Sequence, residues 1–314
     1  TDMHLMFQGA SAFNQPLAAW NVDRVTNMHL MFHAATAFNQ PLAAWDVGRV
    51  TNMRSMFNAA SSFNQDISAW DVSNVTTMQQ MFAYANVFNQ SLDTWDVSNV
   101  NDMSYMFTRA YAFNGDVSTW DVTGVLDVVE MFHGASSFNR DVSQWDVRRF
   151  TDTRFLFAGA SAFNQPLNTW NVDRVTTMVA MFNGAIRFNQ DISTWDVSKV
   201  TTMQHMFDNA AAFNQALSVW DVGNVTRMER MFSSASVFNG DLFEWDVSRV
   251  ASMRHMFANA TAFNRQIYKW DVGEVTDITS MFHGASTFDR YLGTWDVGGV
   301  SASTDVFTNS GMFN

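Results

Sequence analysis

The sequence predicts an α/β solenoid with one short parallel strand and one short helix in each 25-residue repeat. Three observations carry the prediction. All twelve tryptophans, from Trp20 and Trp45 to Trp270 and Trp295, are spaced 25 residues apart with no insertion or deletion. Each repeat holds an apolar stripe at helical spacing. Each also holds a Trp-Asp-Val or Trp-Asn-Val segment that alternates as a half-buried strand would. A fixed period of this length is the mark of stacked repeats.

Positions are numbered from Thr1, Thr26, Thr51 and their equivalents, and the repeat 51–75 serves as reference. Met53, Met56, Phe57 and Ala60 stand at i, i+3, i+4 and i+7, the stripe of a short helix. Thr51 precedes them as its expected N-cap. The Phe63-Asn64 pair recurs in nearly every repeat, with Asp289 breaking the Asn column. A repeated Asn at one corner is expected to form a ladder that satisfies backbone groups no regular element serves. Trp70-Asp71-Val72 supplies the expected strand, paired with its equivalent in the next repeat.

A chain of 314 residues suggests two domains by length alone. The unbroken period favours a single solenoid over 1–314, twelve repeats and part of a thirteenth, with no linker and no distinct polar caps. The missing caps suggest an excised piece, or ends covered by other domains or copies. The least regular stretch runs from Leu126 to Leu156, where Leu126, Val128, Phe150, Thr153 and Phe155 depart from the column residues.

Composition narrows the function classes. A net charge of −12 argues against neutralising a nucleic-acid backbone. No run of 18 apolar residues suggests a membrane span. Zero cysteines exclude disulfides, thiolate metal sites and Cys nucleophiles. The Met and Phe columns read as core, and Ser and Asp recur as pattern residues, so no catalytic set stands out and the chain is expected not to be an enzyme.

The spacing Ile67-x-x-Trp70-x-Val72 resembles the strand segment of leucine-rich repeats, with other apolar residues in place of Leu. The string Trp70-Asp71-Val72-Ser73-Asn74-Val75-Thr76-Thr77-Met78-Gln79-Gln80-Met81-Phe82 resembles the BspA-like leucine-rich-repeat family. The resemblance covers the whole chain. It implies an extracellular or cell-surface protein acting as a recognition or adhesion scaffold, and carries over no catalytic residue. A structural subunit that assembles into a filament or coat is the alternative.

Candidate binding residues are departures from the pattern. Position 18 is Ala, Ser, Asp or Asn in nearly every repeat, but Phe243 and Tyr268 occupy it in two adjacent ones, with Tyr291 close by at position 16. Tyr84, Tyr105 and Tyr111 form a second aromatic group. Clustered surface aromatics are typical anchors for another protein, a glycan or another copy of the chain. The position-21 column, including Asp221, Asp246, Asp271 and Asp296, presents a row of carboxylates. Two readings stand for it: local bonds to nearby backbone and hydroxyl groups, or a row of calcium ions. With one carboxylate per repeat in this column, the local reading is favoured, with no cofactor and no metal. His4, His29 and His33 lack a carboxylate to complete a zinc set. Asn74, Asn89, Asn224 and Asn259 lie in Asn-x-Ser/Thr sequons, of which Asn89 is expected to be blocked by the ladder.

Overall fold

The computed structural model describes residues 2–313, so Thr1 of the threonine column lies outside it. The chain divides into two compact units, Thr1–Phe150 with Gly159–Gln165, and Thr151–Ala158 with Pro166–Asn314. Each unit is a solenoid in which one 25-residue repeat makes one turn and stacks on the next. Parallel bridges join equivalent residues of successive turns, from Asp2–Asn27 to Asp102–Asp127 in the first unit and from Asp152–Thr177 to Asp277–Ala302 in the second.

The stretch expected to be helical is a chain of turns. An α-helix would send each N–H to the carbonyl four residues back. Instead, the N–H groups of Met53, Ser55, Phe57 and Ala59 donate to the carbonyls of Thr77, Gln79, Met81 and Ala83 in the next repeat, at 3.2, 2.8, 2.9 and 2.7 Å. The amides between them turn back on their own repeat: Met56 to Met53, Asn58 to Ser55 and Ala60 to Phe57. Half the donors thus work within a turn and half between turns, and all are satisfied. This alternation puts positions 5 and 9 in the left-handed region, with φ 53° at Ser55 and 57° at Ala59. A side chain costs about 1–2 kcal/mol there, which inter-repeat hydrogen bonds worth about 0.5–1.5 kcal/mol each help to offset. Position 9 relieves the strain with Gly9, Gly134, Gly159, Gly184 and Gly284. Thr51 is consequently no helix cap. Its N–H and Oγ1 both donate to the carbonyl of Thr26, at 2.9 and 3.2 Å. The helical segment among the described residues is the single 3-10 turn Gly311–Phe313.

The expected strand is also displaced. Trp70 N–H closes a turn onto Ile67 and Val75 N–H onto Val72, while the Asp71 carboxylate accepts from Ser73 N–H. Trp70 N–H is thus committed within its own turn, and among the described residues no bridge joins Trp-Asp-Val to the next repeat. The parallel bridging falls at position 2.

The core is the one the periodicity marks. Met53, Met56, Phe57, Ala60, Phe63, Ile67, Trp70, Val72 and Val75 are all buried. Full burial of each larger apolar side chain stabilises by roughly 1.5–3 kcal/mol. Phenyl rings stack along each unit in two columns, as in Phe57–Phe82 at 5.7 Å and Phe63–Phe88 at 5.9 Å, and the columns touch through Phe57–Phe63 at 3.9 Å. The asparagine ladder is present: Asn64 N–H donates to Asn39 Oδ1 at 3.0 Å and Asn89 N–H to Asn64 Oδ1 at 2.9 Å. Its rungs are half-buried to exposed, so Asn89 is not shielded from solvent as expected. A second ladder runs beside it, in which Gln65 Nε2 donates to Asn39 Oδ1 at 2.9 Å and Arg140 Nε to Asn114 O at 2.7 Å.

The irregular residues keep the pattern. Val128 and Leu156 are buried at core positions. Thr153, buried where Met is usual, donates its hydroxyl to Thr177 O at 3.3 Å. The division between units falls inside this repeat, 151–175.

Candidate recognition surface

Asp241 creates the setting of the aromatic group. Its Oδ1 accepts from Phe243 N–H at 3.0 Å, a two-residue side-chain turn that fixes the backbone under the ring. The Phe243 and Tyr268 rings meet edge to face at 5.1 Å and 66°. Such pairs add about 0.5–1.5 kcal/mol beyond burial. Lys269 Nζ lies 4.3 Å from the Phe243 ring centre and 3.1 Å from Glu244 Oε1. Tyr268 is 36% exposed and Tyr291 71%. Tyr291 lies across Gly293, the position-18 residue of its own turn, where a β-carbon would collide with the ring and hydroxyl. Aromatic rings therefore cover position 18 in three successive turns, although no ring contact joins Tyr291 to Tyr268 among the described residues. Beside them is a cleft of about 290 Å³ lined by Asp241, Phe243, Asn264, Arg265, Gln266 and Arg290. Arg265 and Arg290 each donate Nε to a ladder carbonyl, at 2.7 and 3.0 Å.

The aspartate column follows the local arrangement. Asp221, Asp246, Asp271 and Asp296 are exposed, and each accepts from the N–H two residues on, at 3.1, 3.1, 3.1 and 3.0 Å. Asn21 and Asn171 do the same through their amide oxygens, both at 3.0 Å. Where serine follows, its hydroxyl and then its N–H hold the carboxyl of Asp71, Asp96, Asp196 and Asp246 below the ordinary aspartate value of 3.8. Neighbouring carboxylates remain close: Asp221 Oδ1 and Asp246 Oδ2 each stand 3.3 Å from where a β-carbon on Gly223 would lie. Among the described residues, no three His, Asp or Glu side chains gather as a metal set.

The other candidates are dispersed. Arg109 lies 5.7 Å from the centre of the Tyr84 ring; Tyr84 and Tyr111 are exposed and Tyr105 is half-buried. His4 Nδ1 pairs with Asp2 at 2.9 Å, and burial, then Arg54, holds His29 below its ordinary value. The exposed sequon residues Asn74 and Asn224 donate their amide nitrogens to Gly48 O and Ser198 O, both at 2.7 Å. No helix among the described residues is long and apolar enough to cross a membrane.

No curated protein matches the chain. Among solved structures, an internalin of Listeria monocytogenes is similar at 7% identity and a TM-score of 0.29, over 89% of this chain and 77% of the internalin. TLR13, in its complex with a single-stranded RNA, is similar at 8% identity and a TM-score of 0.25, over 85% of this chain but only 45% of its own. The family described as "Mycoplasma protein of unknown function, DUF285" matches four overlapping segments, 1–94, 65–168, 140–243 and 215–314. Together these segments span the whole sequence, and this tandem-repeat chain belongs to the DUF285 family.

Proposed function

We propose that the chain is a non-enzymatic recognition scaffold working at a cell surface or outside the cell, and that it binds a protein or glycan through the position-18 aromatic face. The observation that carries this reading is the Phe243–Tyr268 pair, extended by Tyr291, in a column otherwise made of small and polar residues. Exposed aromatics beside polar groups are the usual anchors of recognition surfaces. Asp246 and Asp271 belong to the same turns as Phe243 and Tyr268 and supply a polar rim, with Asp221 and Asp296 in the flanking turns. The resemblance to BspA-like repeats fits this role.

The test compares the chain with a Phe243→Ser, Tyr268→Ser double variant on a glycan array and in light scattering. Loss of specific glycan binding by about tenfold or more is expected, since two anchors of over 1 kcal/mol each are removed. A variant with unchanged binding and unchanged mass would overturn the reading. A fall in molecular mass on mutation, without any glycan bound by the parent, would replace it with self-assembly into a filament or coat.

A further inference from the structure

The aromatic face of the second unit also carries an excess of negative charge. Positions 16–21 of its turns between 201 and 300 hold six carboxylates, on Asp221, Asp241, Glu244, Asp246, Asp271 and Asp296, against the single cation of Lys269. Counting the neighbours at positions 15 and 24, which are Arg249, Arg265, Arg290 and Glu274, still leaves three carboxylates in excess. Asp221, Asp246, Asp271 and Asp296 are exposed. Each gives Oδ1 to its own backbone, and among the described residues Oδ2 of Asp221, Asp271 and Asp296 accepts no hydrogen bond.

The carboxylate column and the aromatic positions border one surface. In the first unit Ser68, Ala69 and Thr94, at positions 18 and 19, line a cleft of about 460 Å³ together with Asp71 and Asp96 at position 21. The same positions in the second unit hold Phe243, Glu244, Tyr268 and Lys269 beside Asp246 and Asp271. The apolar part spans four turns, since Val219, 72% exposed at position 19, lies one turn before Phe243. Tyr291 lies face-down on Gly293: its Cζ and Cε2 are 2.5 and 2.7 Å from the place a β-carbon would take, so one ring face rests on the backbone and the other is open. The chain itself shows what a ring beside a carboxylate accepts here. The Lys269 ammonium sits 4.3 Å from the Phe243 ring centre and 3.1 Å from Glu244 Oε1, held by both.

We propose, resting on the glycan reading of this face, that its ligand is a chain of amino sugars with free ammonium groups. The C–H faces of the pyranose rings stack on Tyr268 and Tyr291, and the ammonium groups meet the carboxylates of Asp246, Asp271 and Asp296. Turns about 4.8 Å apart present one such carboxylate each, and a glucosamine chain carries one ammonium per ring. An acidic glycan is repelled by the excess of carboxylates. A neutral sugar supplies only the stacking and a simple amine only the charge. A lysine-rich peptide carries its charge on long side chains that lose rotamer freedom on binding, whereas the ammonium of an amino sugar is fixed to its ring.

Titration calorimetry at mildly acidic pH, where the amines are charged and the aspartates ionised, compares the glucosamine tetramer, its N-acetylated counterpart and tetralysine. The glucosamine tetramer is expected to bind saturably and about tenfold or more tighter than the acetylated tetramer, with affinity falling as salt is raised. Asp246→Asn combined with Asp271→Asn is expected to reduce that preference toward unity. Asparagine keeps the turn, as Asn21 and Asn171 do, and melting curves check that the variant is folded. Equal binding of the two tetramers by the parent, or an undiminished preference in the double variant, overturns the ammonium contact and leaves the glycan reading standing. Tetralysine binding as tightly as the glucosamine tetramer overturns the sugar in favour of a basic peptide. Binding of neither tetramer at millimolar concentration overturns the proposal, and the glycan array then decides the wider reading on its own.

Discussion

Each tryptophan does two jobs that its place in the sequence shows unequally. The 25-residue interval marks the indole as core. Its hydrogen bond goes to a carbonyl 28 residues earlier, a partner visible only once the turns are stacked: Trp70 Nε1 donates to Leu42 O at 3.0 Å, Trp95 to Ile67 at 3.1 Å and Trp120 to Leu92 at 2.8 Å. A buried indole N–H needs such an acceptor. Trp70→Phe is expected to keep the ring's place but remove this bond, leaving Leu42 O with the Trp45 N–H at 3.0 Å, and to destabilise the chain by about 0.5–1.5 kcal/mol for the lost hydrogen bond. The urea midpoint of the variant against the parent measures this. Trp20 illustrates the dependence on stacking, since it is 40% exposed while the indoles from Trp45 to Trp270 are buried and Trp295 is half-buried.

At the scale of the element, apolar spacing alone misassigned the backbone. Met53, Met56, Phe57 and Ala60 point inward from a helix and from a run of tight turns alike, so their spacing cannot separate the two. What decides is the partner of each N–H, and half of these partners sit one repeat away. One signal was readable: position 9 is Gly or Asn in eight of its thirteen occurrences, as Gly9, Gly134, Gly159, Gly184, Gly284, Asn209, Asn259 and Asn309, the residues most tolerant of a left-handed backbone. The aspartate turns carry their own prediction. Folding lowers the carboxyl pKa of Asp71, Asp96, Asp196 and Asp246 below 3.8. The unfolded chain thus binds protons first as pH falls. The stability these groups contribute is complete above that value and is lost as pH drops through the lower folded pKa. Denaturation midpoints should decline on the acid side, and the decline should flatten when all four become Asn, which keeps the turn as Asn21 and Asn171 do. An unaltered acid slope in that variant would show that these carboxyls do not set it.

For the whole molecule, charge and repetition set the remaining expectation. The carboxylates of the position-21 column each accept from their own backbone, as at Asp221, Asp246, Asp271 and Asp296, the arrangement the local reading expects. Thermal melts in calcium and in EDTA are therefore expected to superimpose, and a higher melting temperature in calcium would restore the ion row.

The candidate sites were legible to different degrees for the same reason. Phe243, Tyr268 and Tyr291 stood out because a strict repeat exposes every exception, but the edge-to-face contact and the ring lying over Gly293 required coordinates. The sequence by itself determined the period, the inward residues and the asparagine ladder, since these follow from side chains recurring at one interval. Only the tertiary structure decided the path of the backbone within a turn and which side chains meet across turns. Those depend on hydrogen bonds between residues about 25 apart, and no local pattern encodes them.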